Sequence, residues 1–294
     1  MTTVQQLQAA VAGLTDSQRA WLDAFVQQFQ MPNTFWRNKK SDLVTDLVLE
    51  NIGDLLRIHH AMSRRALSKA PFEYAFEKAL LLSKKKAKLA DSATNPGYDM
   101  IVDGERISLK TEAAKNVSKK QLHVSKWMEM GGAWDPVNIQ LPKFLKHLEG
   151  YDRILSLRCL QQTGTHYHYE LVEIPKALML EASKGVMEAA KKTKQETTPW
   201  YCRVPDEVAM AEAAAKAKKG KAPKPAYKFS LYFDAGTERK LQVKQIQLQH
   251  CIVHATWQFE AVQLTPEEPE EEKDADAAAG TDGVEAIPES ALAD

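Results

Sequence analysis

The sequence predicts a mixed α/β (α+β) fold: a central mixed sheet flanked by helices, with a helical N-terminal region and a β-rich C-terminal part. Three observations predict it. Apolar residues recur at helical spacing through most of 1–67. Strand-like runs separated by helical stretches fill the middle of the chain, as a sheet with flanking helices requires. Towards the C-terminus, apolar residues alternate with Gln and Lys, the period of a half-buried strand.

Taken in order, Val4, Leu7, Val11 and Leu14 form one helical stripe. Thr15-Asp16 then opens a second helix through Trp21, Phe25 and Phe29. A third helix is expected from Ser41, its cap, to Leu67, carrying Leu43, Leu47, Ile52, Leu55 and Leu56. The next helix spans 68–90, with Pro71 in its first turn and Phe72, Phe76, Ala79 and Leu80 as its stripe. Glu73 and Glu77, four apart, share one of its sides. A hairpin follows, then a helix at about 117–131 ended by Gly131-Gly132, and strands at Arg153–Cys159 and Tyr167–Ile174. Residues 68–175 thus form the central part. In 176–265 we expect a helix at Lys176–Ala190, an Ala/Lys helix at 206–219 broken at Gly220 and Pro223-Lys-Pro225, and strands near 227–234, 240–249 and 250–262. Residues 266–294, acidic and without aromatics, are expected to be disordered.

The hairpin is the most informative segment. Asp103-Gly104 is a tight-turn signal between two short strands. A two-residue loop there pairs Val102 with Glu105, Met100 with Ile107, Asp99 with Ser108 and Tyr98 with Leu109. Tyr98, Met100, Val102, Ile107 and Leu109 then make an apolar face. Asp99, Ser108 and, diagonally, Lys110 make the opposite one. A carboxylate beside an ammonium on that face is either an exposed ion pair contributing about 0.2–1 kcal/mol, or a site able to hold a divalent cation and an attacking water.

These residues resemble the core of the PD-(D/E)XK nucleases, the superfamily of many restriction endonucleases. In that core an acid on one strand is followed by a hairpin and an acid-x-Lys on the next. Asp99 matches the first acid, Lys110 the lysine, and Ile-Ser-Leu-Lys-Thr the surrounding texture. Ser108 stands where the family usually has a carboxylate, and Pro-Gly-Tyr precedes Asp99 where Pro alone is usual. The resemblance covers about residues 70–175. It implies a restriction-endonuclease-like sheet and metal-dependent hydrolysis of double-stranded DNA by Mg²⁺, with Mn²⁺ as a substitute. A sequence-specific type II restriction enzyme, a homodimer with a companion methyltransferase, is the first reading. A structure-specific repair or recombination nuclease and a non-catalytic DNA-binding protein on the same scaffold are the alternatives. The resemblance makes Asp99, Glu77 and the main-chain carbonyl of Leu109 the metal-holding set, Glu73 and Glu112 the substitute carboxylates, and Lys110 the group beside the nucleophile.

Charge agrees with a polyanionic partner. The chain has 39 basic and 39 acidic residues, but 266–294 holds eleven acidic and one basic, leaving 38 basic and 28 acidic over 1–265. Lys84, Lys85, Lys86 and Lys88 precede the hairpin, and Lys115, Lys119, Lys120 and Lys126 follow it. This placement favours phosphate contacts, with Lys85, Lys86, Lys115, Lys119 and Lys120 as candidates. A third cluster, Lys216, Lys218, Lys219, Lys221 and Lys224, reads as a solvated face. Arg239, Gln242 and Lys244 are either base and backbone contacts or part of an ordinary solvated sheet face. Region 1–67 is either an accessory unit for DNA contact or dimerisation, or a helical layer closing the core. His166-x-His168 and His250-x-x-x-His254 beside Cys251 are weak zinc patterns. Three cysteines without metal-ligand spacing, and neither a membrane span nor a signal pattern, lead us to expect a cytoplasmic protein.

Overall fold

The computed structural model describes residues 3–92, 97–114, 116–191, 197–216 and 225–262, with the backbone alone at 162–163. Residues Met1–Leu264 make one compact unit. Lys115, most of the third lysine cluster and the acidic tail lie outside the described residues.

In chain order the elements are α1 (Val4–Ala12), α2 (Asp16–Gln30), β1 (Asn33–Arg37), α3 (Asp46–Met62), α4 (Lys69–Leu82), β2 (Ala87–Leu89), β3 (Met100–Val102), β4 (Glu105–Glu112) and β5 (Gln121–Glu129). There follow α5 (Leu141–His147), β6 (Arg153–Thr163), β7 (His166–Glu173), α6 (Lys176–Leu180), β8 (Val186–Ala189), β9 (Trp200–Pro205), α7 (Glu207–Lys216), β10 (Tyr227–Phe233), β11 (Lys240–Gln247) and β12 (Ile252–Glu260). No helix among the described residues is long and apolar enough to cross a membrane.

Seven strands form a mixed sheet in the order β1-β12-β7-β6-β4-β3-β2, in which only β4 and β6 run parallel. The other five make an antiparallel sheet, β5-β11-β10-β9-β8. The fold is thus the expected mixed sheet with helices and a β-rich C-terminal part. One face of the seven-stranded sheet packs on α3 and α4: Ile52, Leu56, Phe72, Phe76 and Leu80 meet Met100, Ile107, Leu109, Leu157 and Trp257. Its other face packs on the second sheet, where Ile154, Val172 and Ile174 meet Leu122, Val124, Trp127, Phe229, Leu231 and Val243. Fully burying one such side chain contributes about 1.5–3 kcal/mol, so these two layers dominate stability.

Several expectations need correction. Residues 117–131 are not a helix but β5, whose bulged pairing with β11 breaks the alternation after Val124 and leaves Trp127 as the next buried residue. The helix read as 41–67 is α3, capped at Thr45; Ser41 instead accepts from Val44 N. The helix read as 68–90 ends at Leu82, and β2 follows. That read as Lys176–Ala190 ends at Leu180, passes through a 3₁₀ turn at Glu181–Lys184 and becomes β8. In α2, Trp21 and Phe29 are exposed and the buried residues are Ala24 and Gln28. Gln28 anchors the helix by donating to Glu260 O and accepting from Val262 N. The N-terminal region also contributes β1, which pairs with β12 at the sheet edge.

Candidate active site

The turn at Asp103-Gly104 has φ of +50° and +97°, the two positive values that a twist-matched two-residue hairpin needs and that Asp and Gly tolerate. It fixes the register Val102↔Glu105, Ile101↔Arg106, Met100↔Ile107 read from the sequence. Asp99 continues the hairpin by donating its N–H to Ile107 O at 2.9 Å. Met100, Val102, Ile107 and Leu109 face the helices. Tyr98 does not join them: β3 begins only at Met100, and Tyr98 packs with the layer between the sheets.

Asp99, Ser108 and Lys110 meet on that inter-sheet side. Lys110 Nζ donates to Ser108 Oγ at 2.9 Å. The hydroxyl donates onward to Asp99 Oδ2 at 3.2 Å. The same carboxylate oxygen accepts Leu109 N–H at 2.5 Å. Lys110 is buried, with its ammonium 5.6 Å from the centroid of the Trp127 ring. Burial pulls its pKa down to about 8, against the opposing pull of Asp99 and Glu73; Lys69 adds to the depression.

The second oxygen of Asp99 meets a group that the sequence reading missed. Lys69, in the first turn of α4, places Nζ 2.7 Å from Asp99 Oδ1 and 3.2 Å from Glu73 Oε1. Its signal was the four-residue spacing to Glu73. Glu73 and Asp99 line a small cleft of about 210 Å³ together with Tyr98, Tyr74 and the Leu89–Ser92 segment. Glu77, the first choice from sequence, stands one helical turn further on, where its Oε1 accepts Leu89 N–H at 2.8 Å and ties β2 to α4. Glu112 lies on the same strand as Lys110, but its carboxylate is spent elsewhere. It accepts from Arg158 Nε at 2.8 Å and from His123 N at 2.9 Å, inside a buried network that also holds Glu170 at 2.8 Å from Arg158 Nη1. Burial raises both glutamates, and the guanidinium opposes that rise.

The candidate DNA contacts divide. Lys119 and Lys120 are exposed beside the start of β5, and Lys86 is exposed before β2. Lys85 is engaged by Asp103 at 3.1 Å. Arg239 donates to Gly132 O at 3.0 Å and lies 5.5 Å from the Trp134 ring centroid. Lys244 stands 3.9 Å from the Tyr232 ring centroid. Gln242 is a correction: it is buried and its amide donates to Asp234 Oδ2 at 3.3 Å, so it does not sit on a solvated face. Three of the four histidines of the zinc patterns have other partners, while the buried Nε2 of His168 has no hydrogen-bond partner among the described residues. His250 faces Asp206, His254 bridges Glu173 and Ser41, and His166 faces Glu260. Among the described residues no group of three or more His, Cys, Asp or Glu is placed to hold a metal ion.

With this geometry in view, residues 7–259 match the family SmaI, described as type II site-specific deoxyribonuclease. The type II restriction enzyme SmaI of Serratia marcescens is 41% identical over 260 residues, covering 88% of this chain and 98% of that enzyme. The chain belongs to the SmaI family of type II site-specific deoxyribonucleases. It is a sequence-specific type II restriction endonuclease, and its substrate is DNA. Membership decides between the readings left open above: neither the structure-specific repair nuclease nor the non-catalytic scaffold is retained. Type II restriction enzymes, of which the SmaI family is one group, generally use divalent metal ions and the PD-(D/E)XK fold.

Proposed function

We propose that this endonuclease cuts with Mg²⁺, for which Mn²⁺ substitutes, and that Asp99 and Glu73 with the main-chain carbonyl of Leu109 hold the cation. The residues fit such an ion. Two partly exposed carboxylates converge on one positive charge, the Lys69 ammonium. One or two carboxylates completed by phosphate and water oxygens are the donor set that Mg²⁺ favours. When bound, the ion supplies charge stabilisation to the phosphoryl oxygens and makes a water more acidic.

The chain's own groups do the rest. Asp99 is oriented from two sides, by Leu109 N–H and by the Ser108 hydroxyl. Lys110, fixed by Ser108 and walled by Trp127, stands beside the nucleophile and stabilises charge developing on the attacked phosphate. The exposed Lys119, Lys120 and Lys86 contact backbone phosphates. A two-fold homodimer matches a symmetric recognition site. A companion methyltransferase of the same specificity and a cytoplasmic location complete the restriction-system reading.

The observation that carries this proposal is the Lys110–Ser108–Asp99 chain of hydrogen bonds, with Glu73 joined to it through Lys69. Plasmid cleavage in EDTA, then with Mg²⁺ or Mn²⁺ restored, tests the metal dependence. Discrete fragments only when the ion is restored support it. Undiminished cleavage in EDTA refutes it.

A further inference from the structure

A helix N-terminus disfavours a cation, because the exposed N–H groups and the dipole are already positive there. Yet α4 begins with Lys69, carries no acid in its first turn, and its N-cap Ser68 makes no side-chain capping bond. What holds the ammonium is not the helix end but the carboxylates of Asp99 and Glu73. The exposures are uneven. The Lys69 side chain is 46% accessible, while those of Asp99 and Glu73 are 17% and 22%. Two half-buried anions that would repel one another are therefore bridged by a flexible cation on their solvent side. Such a group is easily moved, since an ammonium on a four-carbon stem rotates away at little expense.

We propose that Lys69 is the resident counter-ion of the Asp99–Glu73 pair, a positioning residue that holds the two carboxylates together in the DNA-free enzyme and is exchanged for the divalent cation when a DNA phosphate draws its ammonium away. This rests on the reading of Asp99 and Glu73 as the metal-holding pair. The arrangement makes metal and DNA binding mutually supportive: the cation competes with Lys69 while DNA is absent, and the phosphate relieves the competition. By linkage the bound metal strengthens DNA binding by the same factor. In the DNA-free protein, Lys69 weakens metal binding both by occupying the carboxylates and by repelling a dication a few ångströms away.

The test is calorimetric titration of Mn²⁺ into the full-length, DNA-free protein, with no activity readout. Lys69→Met keeps the length of the side chain and removes its charge; it binds Mn²⁺ about tenfold more tightly than wild type. Lys69→Arg keeps a cation on the pair and stays within about twofold of wild type. Lys69→Gln gives the same reading as Met should the methionine variant melt well below wild type. Unchanged or weaker Mn²⁺ affinity in the Met and Gln variants overturns the counter-ion role. Adding Asp99→Ala to Lys69→Met separates the two claims. Loss of the tight binding locates the ion at the pair, whereas retained tight binding overturns the metal-site reading itself.

Discussion

Lys110 Nζ and Ser108 Oγ are 2.9 Å apart on the inter-sheet face of β4, and that hydroxyl is what connects the lysine to Asp99. Where the superfamily usually has a second carboxylate, this chain has a neutral relay: the hydroxyl accepts from the ammonium and donates to the acid. A serine cannot neutralise Lys110 or hold a cation strongly; in the proposal above, the second carboxylate is Glu73 on α4, joined to Asp99 through Lys69.

Ser108→Ala removes the relay while leaving β4 intact. A hydrogen bond to a charged group is worth roughly 1.5–3 kcal/mol, so cleavage slows by about 10- to 100-fold. The melting temperature also falls by a few degrees, because the buried Lys110 ammonium loses its hydroxyl acceptor. Single-turnover cleavage beside a thermal melt checks both. A variant that cuts at the wild-type rate removes Ser108 from the account.

The proposal gives Glu73 and Glu77 different roles. Glu73→Gln weakens divalent-metal affinity and cleavage by about tenfold or more, with stability nearly unchanged. Glu77→Gln keeps metal affinity and loses about 1 kcal/mol of stability through its weakened bond to Leu89 N–H. Metal titrations and urea unfolding on the two variants separate them, and the opposite pattern reinstates Glu77 at the site.

His60 gives the fold a pH dependence. Its ring is buried: Nδ1–H donates to Ser63 O at 2.9 Å, Nε2 accepts from the Tyr169 hydroxyl at 2.7 Å, and that oxygen accepts Leu67 N–H at 3.0 Å. Burial first, and the neighbouring His59 second, lower its pKa from 6.5 to about 3. The unfolded chain therefore takes up a proton that the folded chain refuses. Stability from this group is full above pH 6.5 and is lost as pH falls towards 3. Between pH 7.5 and 5 the loss is about 2 kcal/mol. Urea unfolding at the two values, in wild type and in His60→Gln, reads it: the variant's slope with pH is flatter. Equal slopes contradict the assignment.

Local chemistry was legible where it alone decided the structure. Asp103-Gly104 announced its turn, and the turn set the register that brings Asp99, Ser108 and Lys110 together. Thr15 announced the start of α2 through a complete capping box with Gln18. The sequence was silent or misleading where distant pairing decided. A bulge against β11 disguised β5 as a helix. The short edge strand β1 gains its strand pairing, among the described residues, from β12, over two hundred residues later. Gln242 looked like one of a row of exposed amides until Asp234 accepted from it. That Glu73 rather than Glu77 lies beside Asp99 depends on which helical turn sits over the end of the hairpin, information that four-residue spacing does not contain. Asp135-Pro136 carries a local signal for the π-helical turn at Pro136–Gln140 that leads into α5, with Asp135 Oδ1 accepting from Asn138 N at 2.9 Å.

The central claim is that Asp99 is the acid around which cleavage is organised. Asp99→Asn keeps the shape of the side chain and an oxygen acceptor but removes the charge. Single-turnover cleavage of a plasmid carrying the recognition site, measured alongside DNA binding by the same variant, tests it most directly. The account predicts a cleavage rate at least about 1,000-fold below wild type with binding retained. A rate within about tenfold of wild type would contradict it.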